Sequence, residues 1–452
     1  MFTSIICCWW RKATISLLGA LIALLSQSSL ADSTPLTLEK AVVLAFEMDP
    51  WLEGSHQTQL ALQEEAIAVD SLPDPQLSLL AMNVPTSYDV NQESMTQMAV
   101  AVSQQFPRGR SRALSRQQKE TMAAMEPLRR AERKASVRAS VSHLYLDAYL
   151  AQASRALIEK DRTLFSQLVD AAEAQYTSAS GRARQQDLIR AQLELIRLED
   201  RLTVMAQEQE VAQQQLAELT PAAAYQPVDP NLPDLMTDGA KQLISSRSTP
   251  EALYAQLENH PTVLAADRSI DSVALGVDLA RQKYRPGFGL RAQYGYRAED
   301  TDGRSRDDVI SLGMTFDLPL FRRNRQDRQV SAALAREAAA RTERSLIIRE
   351  LVSRLHADRA ELTSLNQRKA LYEEQLLPQM AQQSDASLAA YNNADGDFSE
   401  AVRARIAELD AKIDALAISV AREQTLARIN YLLTRSDPSV ASTAHIEGAG
   451  NE

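Results

Sequence analysis

The stretch RPGFGLRAQYGYR, residues 285–297, decides how this chain must be built. Phe288, Leu290, Ala292, Tyr294 and Tyr296 alternate along it with Gly289, Arg291, Gln293 and Gly295. A period of two is that of a β-strand, here with one apolar and one polar face. The chain downstream reads differently: it has no glycine between Gly313 and Gly396, and its apolar residues recur at helical spacing. A two-faced strand inside a helical protein needs a partner for its edges and a cover for its apolar face.

Strand partners are found on either side. DVISLGMTFDL, residues 308–318, alternates in the same way and is closed by Pro319. Upstream, a strand at 76–82 and another at 95–106, closed by Pro107, form a similar pair. Pro50 and Pro75 stand 25 residues apart, as do Pro261 and Pro286, and each first proline opens a helix-like segment. Asp49 is a good cap before the first of these, because its carboxylate can accept from the free N–H groups of the first turn. Each strand pair is followed by a long helical stretch, 110–178 and 322–391, whose only prolines are Pro127 and Pro378. About 70 residues at 1.5 Å per residue make a rod of roughly 105 Å. The rods end at related turns, YTSASG (176–181) and YNNADG (391–396), and return helices follow at 185–219 and 398–433. In the first return helix Leu188, Leu195, Leu202 and Leu216 form one heptad series, broken at Gln209. Ala191, Leu198, Met205, Ala212 and Leu219 form the other, and such a seam predicts a partner helix. The organisation is thus one repeat over 32–220, a proline-rich connector over 221–250, a second repeat over 251–435 and a disordered tail over 436–452.

The N-terminus reads as an export signal. Arg11 and Lys12 precede an apolar run from Ala13 to Leu25, and Ser29-Leu30-Ala31 places small residues for a cut after residue 31. The run is shorter than the roughly 20 residues of a spanning helix. Cys7 and Cys8 lie before it, so neither is a lipidated cysteine at the cut, and the exported chain has no thiol chemistry. Without Arg11 and Lys12 the balance is 47 basic to 59 acidic residues, a net charge of −12, which disfavours nucleic acid as a partner.

Four strands cannot close on themselves, and the smallest membrane barrels need about 8. Three chains together supply twelve. In such a barrel Phe288, Leu290, Tyr294, Tyr296, Ile310, Leu312, Met314 and Phe316 face lipid, whereas Arg291, Gln293 and the glycines face a wet lumen. A soluble four-stranded cap on a coiled coil is the alternative, and it would make the protein a periplasmic structural or adaptor protein.

The duplicated order of short helix, two strands, long helix, tip turn and return helix, with a Y-x4-G tip in each half and QDLIRAQLEL after the first, resembles the TolC-like outer-membrane efflux proteins (outer membrane factors). The resemblance covers Leu36 to Leu433. It implies a mixed α+β membrane protein: a homotrimer whose 12-stranded β-barrel in the outer membrane continues as a periplasmic tunnel of α-helical hairpins. It further implies a passive exit duct for metal cations or drugs, docked by its tips onto a periplasmic adaptor and an inner-membrane pump of RND type. LLPQMAQQSDASLAAYNNADGDF is most similar to the heavy-metal efflux branch. Two features depart from the family. The lipidated N-terminal cysteine of several relatives is missing, and Glu400-Ala401-Val402-Arg403-Ala404 replaces an Asp-Val-Leu-x-Ala-like run, so the family's gate residues do not transfer.

Catalysis finds no motif: the five histidines have no metal-ligand spacing, and no HExxH, GxSxG or phosphate loop occurs, so no catalytic, cofactor or metal site is expected. Tyr176, Gly181, Tyr391 and Gly396 are candidate turn-formers and adaptor contacts. Asp395, Asp397 and Glu400 form a candidate gate, since like charges brought together by threefold symmetry favour cations. Arg108 and Arg110 after the first strand pair, and Arg322, Arg323 and Arg325 after the second, are expected near inner-leaflet headgroups.

Overall fold

The computed structural model describes residues 35–177, 185–221, 223–245, 250–393 and 397–436. The first helices are α1 (Leu38–Glu47) and α2 (Pro50–Asp70), followed by β1 (Gln76–Met82) and β2 (Gln97–Phe106). Next come α3 (Ser111–Thr177), α4 (Gln185–Leu219), and the short helices α5 (Asp238–Ser245) and α6 (Pro250–Leu257). Then follow α7 (Pro261–Gln282), β3 (Gly287–Tyr296), β4 (Val309–Asp317), α8 (Gln326–Leu371), α9 (Leu377–Asn392) and α10 (Phe398–Leu432).

Local chemistry sets the boundaries. Asp49 Oδ1 accepts the Trp51 N–H at 3.0 Å, with Pro50 at the first helical position of α2. His260 plays that part for α7, its Nδ1 accepting the Thr262 N–H at 3.3 Å ahead of the helix that Pro261 opens. The strand expected from residue 95 begins two residues later. Asn83, at φ 54°, turns the chain back and donates to the Met95 carbonyl at 3.0 Å, while Thr96 donates to the Asn83 carbonyl at 2.7 Å. Both groups are thereby taken from the ladder. The helix expected from residue 322 begins at Gln326, because Arg322 to Asp327 form a turn closed by the Asp327 N–H on the Arg322 carbonyl at 3.0 Å. It is also not continuous: Tyr372–Leu376 is a π-helical turn between α8 and α9. Pro378, just beyond it, has no N–H to give to the helix ladder, and a wider turn accommodates a missing donor.

The chain forms two compact units. One comprises Met48–Ser140, Leu235–Arg368 and Ala421–Glu452 and contains the sheet. In it α2 runs along the first half of α3, held by Asp49–Arg133 at 2.7 Å and Glu65–Lys119 at 2.6 Å. Its core is built from Leu253, Leu257, Val263, Ile348, Leu355 and Leu426. Ala240 and Leu243 of α5 are buried in that core, so the segment expected as a surface connector carries a packed helix. The Leu235 N–H reaches Glu423 Oε2 at 2.8 Å, and Asn430 Nδ2 donates to the Leu235 carbonyl at 2.8 Å.

The other unit comprises Met1–Glu47, Val141–Asp234 and Lys369–Val420. Ile158 and Phe165 of α3, Ala191 and Leu198 of α4, and Phe398, Val402 and Leu409 of α10 form its core. The heptad residues Leu195, Leu202 and Met205 pack against it. Elsewhere in this unit Leu36 and Val228 form a parallel bridge. The buried Tyr145 hydroxyl locks that bridge, donating to the Leu36 carbonyl at 2.8 Å and accepting the Asp229 N–H at 3.2 Å.

Candidate functional site

The sheet is the first candidate. Its order is β1-β2-β3-β4, antiparallel throughout, so the two strand pairs join through β2 and β3 and only β1 and β4 are edges. Register sorts the side chains into two rows. Leu79 pairs with Val100, Val100 with Tyr294, and Tyr294 with Ile310. At the other end Phe106 pairs with Phe288 and Phe288 with Phe316; the first two rings stack with centroids 4.8 Å apart. All eight residues expected on the apolar face are exposed, with Leu312 82% and Ile310 75% accessible. Water does not tolerate such a face on a single chain.

The opposite face is polar and more sheltered. Ala99, Ala101, Gly289 and Gly295 are buried there. Amide side chains from β2 cover the glycines: a Cβ at Gly289 would lie 2.7 Å from Gln105 Nε2, so only glycine lets the amide lie flat across the strand. Arg291 stands exposed on this face between Ser103 of β2 and Gly313 of β4.

The two basic clusters differ in what they do. Arg108 pairs with Asp317 and donates to the Lys283 carbonyl at 3.1 Å, so it ties the ends of β2, β4 and α7. Its neighbour Gly109 has φ 51°, and a Cβ there would run into Gln282, whose Oε1 accepts the Arg110 N–H at 3.2 Å. Arg322 donates to the Pro319 carbonyl at 3.0 Å and lies 6.0 Å from the Tyr284 ring centroid. Arg323 and Arg325 are exposed. None of the three arginines lies inside the helix they precede; the first turn of α8 instead carries Asp327, which suits its dipole. At the other end of the sheet Arg306 joins the strand loops, donating to the Glu93 and Asn91 carbonyls at 3.0 and 3.2 Å and pairing with Asp300 at 3.1 Å.

The tip-proximal residues are the second candidate. Gly181, Asp395 and Gly396 lie outside the described residues, and Tyr176 is placed within α3. Tyr391 packs edge-on against Phe398, centroids 5.2 Å apart, and so clasps the start of α10. Asp397 caps α10: it accepts the Ser399 N–H at 3.1 Å and the Ser399 hydroxyl at 2.8 Å. Those bonds from Ser399, the hydroxyl first, hold its carboxyl below the ordinary range. Glu400 is exposed in the first turn of α10. Among the described residues the structure therefore gives Asp397 a partner on its own helix, and both Asp397 and Glu400 are exposed.

A buried charge cluster nearby was not legible in sequence. Arg405 reaches Asp161 at 3.0 Å and Glu408 at 2.9 Å, and Lys412 reaches Glu408 at 2.6 Å. Burial opposes charging of Glu408, but bonds from Lys412 and Ser384 and the nearby cations outweigh it and hold its carboxyl low. Among the described residues, no group of three or more His, Cys, Asp or Glu is placed to hold a metal ion, and no helix is long and apolar enough to cross a membrane.

No known protein family and no curated protein matches the sequence. Solved structures match in fold. A membrane protein from Pseudomonas aeruginosa superposes with a TM-score of 0.72 at 16% identity, over 88% of this chain and 92% of that one. For the outer membrane protein VceC from Vibrio cholerae the TM-score is 0.71 at 16% identity, over 88% and 97% of the two chains. For the Campylobacter jejuni CmeC outer membrane channel it is 0.71 at 12% identity, over 88% and 85%.

Proposed function

We propose that this chain, which has the fold of the TolC-like outer-membrane channels, is the outer-membrane exit duct of a tripartite efflux system. The observation that carries the reading is the sheet: four strands, two open edges, and one face of exposed apolar side chains. Three copies would join β1 edges to β4 edges and close a 12-stranded barrel, with Phe288, Leu290, Tyr294, Tyr296, Ile310, Leu312, Met314 and Phe316 against lipid. Closure removes the edges, and lipid covers the face that water cannot.

In this reading the chain holds two repeats, 32–220 and 251–435, behind a leader ending at residue 31, and it is not lipidated. The helical hairpins form the periplasmic tunnel. Their tips, around Tyr176, Gly181, Tyr391 and Gly396, dock a periplasmic adaptor that connects to an inner-membrane pump of RND type. Asp395, Asp397 and Glu400 gate the narrow end. Of the basic residues, Arg323, Arg325 and Arg110 meet headgroups, while Arg108 and Arg322 brace the base of the sheet. The duct performs no chemistry of its own and needs no cofactor. Its cargo is metal cations or drugs; the metal branch rests on the likeness of the segment before the second tip.

Extraction of outer membranes with mild detergent, followed by light scattering, tests the reading. The expected particle contains three chains and migrates heat-modifiably on gels. A monodisperse monomer with protected strands would sink it and favour a periplasmic coiled-coil adaptor with a soluble β-domain.

A further inference from the structure

The polar face of the sheet is almost free of formal charge. Gln97, Gln105 and Gln293 supply amides there, Ser78, Ser103, Ser311 and Thr315 supply hydroxyls, and Gly289 and Gly295 supply bare backbone. Asp317 closes the row at one end, opposite Gly287, and is neutralised by Arg108. Within the strands Arg291 is the exception, and Arg297 continues the row just past the end of β3. Arg291 lies mid-strand, four residues from Gly287, or about 13 Å along β3 at the usual rise. Its side chain is exposed, its flanking residues Ser103 and Gly313 are too small to screen it, and its hydrogen bond goes to the neutral Gln293 Oε1 at 3.3 Å.

We infer that Arg291 forms a cationic collar in the lumen of the barrel and sets the charge class of what passes: anionic and neutral solutes are favoured over free metal cations. The inference rests on the duct reading above, and it chooses within the cargo proposed there. Threefold closure places three such guanidiniums at one level. Each guanidinium carries one positive charge and no acceptor. The strand residues on either side are neutral amides, hydroxyls, glycines and apolar side chains such as Ala101 and Met82, so among the described strands no carboxylate beside the collar cancels its field. At about one Debye length from the axis, 10 Å at 0.1 M salt, three unit charges in water bias the ratio of anions to cations at the centre by about fivefold. The same collar opposes re-entry of cations from outside the cell.

A cysteine placed beside the arginine reads the local field without depending on the state of the periplasmic gate. Ser103 pairs with Arg291 across β2 and β3, so Ser103→Cys puts a thiol next to it on the same face. Modification rates of this variant in outer membranes are compared for an anionic sulfonatoethyl and a cationic trimethylammonioethyl methanethiosulfonate. The controls are the parent chain and the double variants Ser103→Cys/Arg291→Gln and Ser103→Cys/Arg291→Glu. A single charge about 7 Å away changes the anion-to-cation rate ratio by about threefold at 0.1 M salt. The ratio should therefore fall about threefold on going to glutamine, fall about as far again with glutamate, and lose most of this dependence at 1 M salt. Labelling by both reagents at rates independent of residue 291 overturns the collar and leaves the duct intact. Failure of either reagent to label the native protein, with normal labelling after denaturation, means the face is dry and removes the duct reading as well.

Discussion

Arg405 offers the sharpest test of how the tip-proximal helices are held. Its side chain is 21% exposed, whereas those of Asp161 and Glu408 are 5% and 6% exposed. Arg405→Met keeps the aliphatic stem and deletes only the charge. Glu408 retains Lys412. Asp161 loses its ion-pair partner, and its Oδ2 has no hydrogen bond even in the intact protein. Breaking a buried pair in this way costs about 3–5 kcal/mol. We therefore expect a loss of about 3 kcal/mol, the lower end of that range because Arg405 is partly exposed. Hydrogen exchange followed peptide by peptide resolves this, because a local loss of 3 kcal/mol speeds exchange in the opened helices about 150-fold. The double variant Asp161→Leu/Arg405→Met removes both charges and should recover most of the protection, since a buried pair exchanged for apolar groups is often neutral. Exchange within about threefold of the parent in the single variant, or equal lability of single and double variants, would refute the reasoning.

Two further outcomes follow from the sheet and from His260. Leu312→Arg and Phe316→Arg should each cost roughly 2–4 kcal/mol near the bilayer midplane and deplete assembled protein in outer membranes, whereas Gln293→Arg on the polar row should be mild; equal losses for both rows would reverse the faces. His260 is fully buried, and burial pushes its imidazole pKa down despite the contact with the Tyr431 carbonyl at 3.2 Å. The unfolded chain then binds the proton more readily, so stability of the α7 start falls as pH drops below about 6.5 and levels off beneath the folded-state value. Exchange protection of residues 261–270 measured from pH 7.5 to 5 should show this loss, and His260→Asn, which can still cap, should flatten it.

Much of the fold was legible because its signals are local. Alternation of side chains along 287–296 and 309–317 is a property of consecutive residues, and the faces it assigns are the rows that register produces. The heptad of residues 191–216 similarly announced a helix with a buried seam, and Ala191, Leu198, Ala212 and Leu216 are buried. Boundaries were less legible where short-range competition decided them, as when Asn83 and Thr96 captured backbone groups that a longer strand would have used. Asp397 shows a different limit. Its charge suggests a gate, and Ser399 two residues later also makes it the cap of α10, a pattern that the sequence contains and that its charge alone does not reveal.

By itself, then, the sequence determined everything with a period: the two-faced strands, the long helices, the buried seam of the first return helix, and the impossibility of closing a sheet with four strands. The tertiary structure alone decided which charges are free and which are spent. Arg405 finds Asp161 across 244 positions of chain, and Arg108 finds the Lys283 carbonyl across 175. Identical arginines at 291 and 108 thus have opposite fates, one exposed on a neutral wall and one holding the base of the sheet. Composition counts them alike, because a charge's effect depends on its distance to the nearest opposite charge and on the water around it, and only the fold supplies both.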